Sequence, residues 1–311
     1  MGIGLNAIMD ENDSIVEHIP VLAETLVEQI NLPKNGVMVD TTIGQGGHSF
    51  LFAQQLGSNG GIVGFDVDED ALKKAESTLR DVSCKVILLR SNFAQISERL
   101  SEKGIEKVVF VLADLGICSA QVSDEKYGLS FMTNMPLDMR LDKRIKTNAA
   151  DIINSINEKS LADLIFEFGQ DRASRRIARF IVRERKVKRI TTTGQLAEII
   201  CRALGKKGRG HRSRIHPATR TFQALRIAVN HELENLQKLL VSVPDLLNKN
   251  GYFAVISYHS LEDRLVKMDF RQNKLKGVYE VLTKKPIVPD REEILKNRRA
   301  RSAKLRIAQK Q

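Results

Sequence analysis

The chain has 311 residues, 42% hydrophobic and 28% charged, which supports one large core or two ordinary ones and excludes a disordered chain. Its three cysteines, Cys84, Cys118 and Cys201, are too scattered for a disulfide framework or a zinc site, and no apolar run approaches the roughly 20 residues that span a bilayer. A formal net charge of +11 favours an anionic partner. Cytoplasmic localisation with no metal and no membrane contact is the expectation.

The segment before His18 is too acidic and too poor in apolar residues for a signal peptide. From there to about residue 115 the pattern alternates. A strand is predicted at Val37–Asp40, after the breakers Pro33 and Gly36, and a helix at Ser49–Leu56, after a glycine-rich turn. Gly61–Asp66 is the next strand. Asp70–Arg80 is predicted helical because Ala71, Leu72, Ala75 and Leu79 share one side. Lys85–Leu89 is a strand, Phe93–Ser101 a helix, and Val108–Asp114 an apolar strand ending in an acid. Strands this apolar, alternating with helices, predict a parallel sheet covered on both faces.

The alternation stops at Ser119. The chain then reads as loop, followed by helices at Asp151–Ser155, Ser160–Phe168, Asp171–Arg185 and Thr193–Leu204, the last with an N-terminal cap in Thr191–Thr193. Strand-like sequence returns only at Gly251–Ser257, before a helix at Leu261–Asn273. The reading is a doubly wound sheet interrupted by a helical insertion, with residues 1–125 and 241–311 forming the sheet domain and 126–240 the insertion.

The basic charge is concentrated. Residues 172–226 hold seventeen Lys and Arg against two acids, and residues 284–310 hold ten against three, so the rest of the chain is acidic. Arg172, Arg175, Arg176, Arg179 and Arg183 share one helical face, largely opposite Ala173, Ile177, Phe180 and Ile181. Such a face repels itself unless something negative covers it, and phosphates suit arginine. The loop at 205–214, with Lys206, Lys207 and Arg209, fits a segment that orders on RNA. The C-terminal basic stretch reads equally well as a solvated tail.

Residues 39–49, VDTTIGQGGHS, run from a strand into Gly44, Gly46 and Gly47 and then a helix. Glycines there let the backbone approach a ligand, and Asp66, closing the second strand, can accept both hydroxyls of a ribose. The third glycine of a dinucleotide fingerprint is missing, which leaves an adenosine ligand without a pyrophosphate; S-adenosylmethionine fits. Asp114 ends the fourth strand on the same rim. Phe93 is placed either to stack on adenine or to pack in the core. Two further polar clusters are GLSFMTNMPLDMR (128–140), holding Asp138 and Arg140, and SYHSLEDR (257–264), holding His259 and Glu262. For each pair, Asp138–Arg140 and Glu262–Arg264, an internal salt bridge is the competing reading.

Six ordered motifs, HIPVL (18–22), VDTTIGQGGHS (39–49), DLGICSAQ (114–121), GLSF with PLDMR (128–131, 136–140), HPATRTFQALRIAVNHEL (216–233) and YHSLEDRLVK (258–267), resemble those of the MraW/RsmH methyltransferases. The resemblance covers nearly the whole chain. It implies a class I, Rossmann-like S-adenosylmethionine-dependent methyltransferase sheet, with Gly46, Gly47, His48, Asp66, Phe93, Asp114 and Gln121 at the cofactor. It also implies methylation of N4 of a cytidine in the decoding region of 16S rRNA in the small ribosomal subunit. Cys118, Ala120, Tyr127 and Tyr258 depart from the family pattern, where serine, proline, arginine and phenylalanine are usual.

N4 methylation needs acceptors for the amine hydrogens but neither a metal nor a covalent nucleophile. Asp114 is the first candidate acceptor and Asp138 the second, with Arg140 positioning a phosphate or the cytosine carbonyl; His259 is a weaker candidate base. Two other readings stay open: a non-catalytic RNA-binding assembly factor on the same fold, and a nicotinamide-dependent oxidoreductase. The missing third glycine and the basic insertion argue against the latter.

Overall fold

The computed structural model describes residues 20–205 and 216–311. The first four strands form where the sequence puts them: β1 (Val37–Asp40), β2 (Gly61–Asp66), β3 (Lys85–Arg90) and β4 (Val108–Asp114). Helix α1 (Ala23–Gln29) precedes them, and α2 (Gly47–Ala53), α3 (Glu69–Thr78) and α4 (Ile96–Glu102) connect them. The stretch opening at Phe93 is first a 3-10 turn, Phe93–Gln95, because Asn92 caps Ala94 and tightens the chain. The short α5 (Ser119–Ser123) follows β4.

Among the described residues, five helices lie between α5 and residue 231: α6 (Ala149–Ser155), α7 (Glu158–Gly169), α8 (Ser174–Val187), α9 (Thr193–Ala203) and α10 (Thr219–Asn230). The Thr192 hydroxyl accepts from Gln195 N, and the Gln195 side chain returns a bond to the Thr192 backbone, so the expected cap is a capping box. Ile153, Leu161, Ile165, Ile177, Ile181 and Leu225 pack into a core of their own. The chain reverses at His231, in the left-handed region at φ 51°, and enters α11 (Glu232–Leu246). Leu236, Leu239, Leu240 and Val243 of α11 join the core under the sheet. Packing therefore divides at His231.

Beyond α11 come β5 (Leu247–Ser257), α12 (Ser260–Leu275), β6 (Tyr279–Val281), α13 (Arg291–Lys296), a 3-10 turn at Arg298–Ser302, and β7 (Lys304–Lys310). Among the described residues the seven strands form one sheet in the order β3-β2-β1-β4-β5-β7-β6. The first five strands are parallel, as expected, but β7 runs antiparallel to β5 and β6 antiparallel to β7. Two expectations are thereby corrected: strand sequence does not return only once, and the basic C-terminal stretch is not a solvated tail. Leu305 and Ile307 are buried in β7, and the one cation between them, Arg306, is held by Asp263 at 2.7 Å.

Strand periodicity sends Phe110 and Leu112 to one face of the sheet and Val111 and Ala113 to the other, each into a separate apolar cluster. Each fully buried Phe or Leu contributes about 1.5–3 kcal/mol, so both faces hold β4 at the centre. Strand order reverses between β1 and β4. In open α/β sheets that reversal opens a crevice at the carboxyl ends of the strands, and here those ends carry Asp40 and Asp114. No helix among the described residues is long and apolar enough to cross a membrane.

Candidate active site

A cleft opens at this reversal, in two halves that share Thr42, Gly44 and the Leu115–Cys118 segment. Thr42 ties the two strand ends together, its hydroxyl accepting from Asp114 N at 2.7 Å. Gly44 has a φ of +52°, and a Cβ there would meet nothing nearer than 3.9 Å, so its backbone faces open space. Gly46, at φ +86°, lies against Ala75 and lines neither half. Gly47 lines the cleft but is also needed for packing: a Cβ would come within 2.7 Å of Pro20.

Asp66, Phe93 and Gln121 line the first half. The Asp66 carboxylate accepts from Gly44 N at 3.0 Å and from Asp68 N at 2.9 Å. Burial raises its pKa to about 6, against those two backbone bonds. Asp68 in turn accepts from the Tyr127 hydroxyl and from Gln121 Nε2, while Gln121 Oε1 accepts from Cys118 N. Tyr127, one of the departures from the family pattern, is thus a buried support for the loop after β2. Asp40 sits below the turn, receiving bonds from Ser49 Oγ and Thr42 N, and burial raises its pKa.

His48 and Asp114 line the second half. His48 is 8% exposed, neither ring nitrogen has a hydrogen-bond partner, and Nε2 lies 3.5 Å from Asp114 Oδ2. The hydroxyl of Tyr258 also engages Asp114, and burial followed by the Asp114 charge pushes the phenol pKa up. Gly116 is required beneath that ring, since a Cβ would come within 2.7 Å of it.

The charged lining differs sharply between the halves. Among the described residues the first presents Asp66, Asp142, Glu232 and Glu262 and no Lys or Arg. The second presents Arg226, Lys296, Arg298, Arg299 and Arg301 with a single carboxylate, Asp114. The acidic half carries Asp66 and Phe93 beside the open backbone at Gly44.

Other candidates are placed elsewhere. Asp138 and Arg140 line neither half; Arg140 forks onto Asp138 with two bonds of 2.8 Å and donates a third to Ile145 O. His259 also lines neither half. Its Nδ1 accepts from Glu262 N and Glu262 answers the His259 backbone, capping α12, with Nε2 3.1 Å from Glu262 Oε1. Glu262 pairs inside this cap rather than with Arg264. Glu232, His259 and Glu262 lie within 4.8 Å of one another, yet Arg226 forks onto Glu232 at 2.8 and 3.0 Å. Burial opposes the Arg226 charge, and Glu232 holds its pKa above the ordinary value nonetheless. Arg172, Arg175, Arg176, Arg179 and Arg183 are exposed as expected but border neither half. Lys206, Lys207 and Arg209 lie outside the described residues.

Sequence reasoning missed Thr42, Arg226 and the Lys296–Arg301 turn, and gave Tyr258 no role beyond its departure from the family motif. The doubled threonine after β1 was a usable signal for the first. The others reach the cleft through contacts distant in sequence.

The profile of the MraW methylase family matches residues 15–311. A ribosomal RNA small subunit methyltransferase H from Koribacter versatilis is 44% identical over 298 residues, covering 94% of this chain and 93% of the relative. One of the same name from a Cyanothece species is 45% identical over 293 residues, covering 94% of each chain. Among solved structures, an rRNA methylase from Streptococcus thermophilus overlaps 93% of both chains, with a TM-score of 0.42 and 12% identity. The chain belongs to the MraW methylase family, on a Rossmann-like methyltransferase sheet, and S-adenosylmethionine is its methyl donor.

Proposed function

We propose that the protein transfers a methyl group from S-adenosylmethionine to N4 of a cytidine in the decoding region of 16S rRNA, acting on the small ribosomal subunit in the cytoplasm. The observation that carries this reading is the pair of oppositely charged half-clefts meeting at the ends of β1 and β4. The kinship with small subunit rRNA methyltransferases supports it.

The donor brings a methyl group already activated on a sulfonium. The chain has to hold that group and prepare the nucleophile. Asp66, Phe93 and Gln121 line the half that holds the cofactor, while Gln121 and Tyr127 fix the loop around Asp68. The N4 lone pair is delocalised into the cytosine ring, so an acceptor for an N4 hydrogen localises it. Asp114 is suited to that role. It borders the shared lip, Tyr258 and the Gly116 N–H hold its carboxylate, and His48 lies alongside with both nitrogens unpartnered. Asp114 would take the proton that N4 loses as it gains the methyl group. A cytidine in structured RNA must be splayed out to enter. The exposed arginine face of α8 and the basic stretch of sequence at 205–214 supply affinity for the surrounding RNA.

Small subunits lacking the modification should take label from S-adenosylmethionine, and mass spectrometry of the digested RNA should find it on cytidine N4. Asp66→Ala should abolish transfer at ordinary cofactor concentrations. Label on any other atom or nucleotide would contradict the assignment.

A further inference from the structure

The cleft half that holds the cofactor carries acids, whereas the half beyond Asp114 carries five cations. A ligand bearing a sulfonium and an ammonium suits the first, and a polyanion suits the second. Four of the five cations come from one short stretch: Lys296 ends α13, and Arg298, Arg299 and Arg301 lie in the turn that follows. Its backbone is fixed from several sides. Asp290 caps α13, the Asn297 side chain accepts from Arg299 N at 3.2 Å, and Glu293 accepts from Leu22 N at 2.6 Å. Ala300 and Ala303 are fully buried in the core beside β7. Burying the alanines turns the flanking Arg298, Arg299 and Arg301 outward, and all three are exposed. Lys296 is paired with Glu292, but Arg298 and Arg301 have no ion-pair partner among the described residues.

A fixed turn that presents the Arg298 and Arg301 guanidinium groups, without ion-pair partners among the described residues, across a cleft from the acceptor carboxylate is costly in self-repulsion unless an anion completes it. The arginine face of α8 cannot perform this task, because it borders neither half of the cleft. We propose that the Arg298–Arg301 turn is a phosphate clamp. It grips the RNA phosphodiester backbone next to the target nucleotide and so sets that base against Asp114. This rests on the assignment of RNA as the substrate and adds the group that places it.

The test compares wild type with Arg298→Gln/Arg301→Gln and with Arg298→Lys/Arg301→Lys, using small subunits lacking the modification. Three readouts are needed: subunit binding as a function of salt, the KM for subunits in methyl transfer, and the Kd for S-adenosylmethionine. The glutamine variant should raise the KM about tenfold or more and reduce the salt slope of binding by about one per arginine. Cofactor Kd should stay as in wild type, and the lysine variant should recover most of the salt slope. Unchanged subunit binding and salt slope in the glutamine variant, with cofactor binding intact, would overturn the clamp. Failure of the functional assignment would look different: wild type itself would leave no label on cytidine N4.

Discussion

At the scale of single residues, the acid closing β2 has the most consequence. Burial lifts Asp66 to about 6, and the ribose-accepting role proposed for it requires its anion. The folded chain therefore holds this proton more tightly than the unfolded chain, whose aspartate titrates near 4. The sign follows: Asp66 lowers stability as pH rises from about 4 to about 6, and cofactor affinity weakens as pH falls through that window. Calorimetric titration with S-adenosylmethionine should show a Kd that is flat above about pH 7 and rises by about tenfold per unit well below pH 6. Asp66→Asn should bind weakly with no such dependence; a wild-type Kd flat down to pH 5 would contradict the assignment. The position of Asp66 was legible in the sequence, since an apolar strand ended in an acid after a glycine turn. Its occupation by the Gly44 and Asp68 N–H groups was not, because those bonds depend on how two loops meet. Asp138 and Arg140 show the converse. Their density of polar groups suggested chemistry, but residues two apart in a turn satisfied each other.

Among the elements, α8 was legible almost whole. Its periodic Ile177 and Ile181 face the insertion core, leaving the arginines outside. Because the stripe borders no part of the cleft, it should act on affinity and leave the chemical step alone. Reversing Arg176, Arg179 and Arg183 to Glu should weaken subunit binding at fixed salt and leave both cofactor Kd and the single-turnover rate at saturating subunit unchanged. Equal subunit affinity in that variant would remove α8 from the interface. Strand β7 was illegible for a physical reason. Its sequence, KLRIAQK, lies in a run of cations, and what makes it a strand is Asp263, 43 positions away, neutralising Arg306. The same kind of long-range satisfaction hid Arg226, which is useful in the cleft only with Glu232 beside it.

For the molecule as a whole, the alternation of strands and helices was enough to set the sheet, while the cleft depends on how its ends are assembled. Strands β1 and β4 supply the floor, α12 and the turn after α13 supply one wall, and Arg226 of α10 and Glu232 of α11 reach it from the two sides of the His231 reversal. Charge separation across this cleft is a property of that assembly: acids line one half, cations line the other, and Asp114 stands near the lip. The central claim is that methyl transfer happens there, with Asp114 taking the N4 proton. Single-turnover transfer with the Asp114→Asn variant, at saturating S-adenosylmethionine and saturating small subunits, tests this most directly. Loss of a positioned base typically costs about 10²–10⁴-fold, so a rate reduced at least about a hundredfold is predicted, with subunit binding retained. A single-turnover rate equal to wild type would contradict the account.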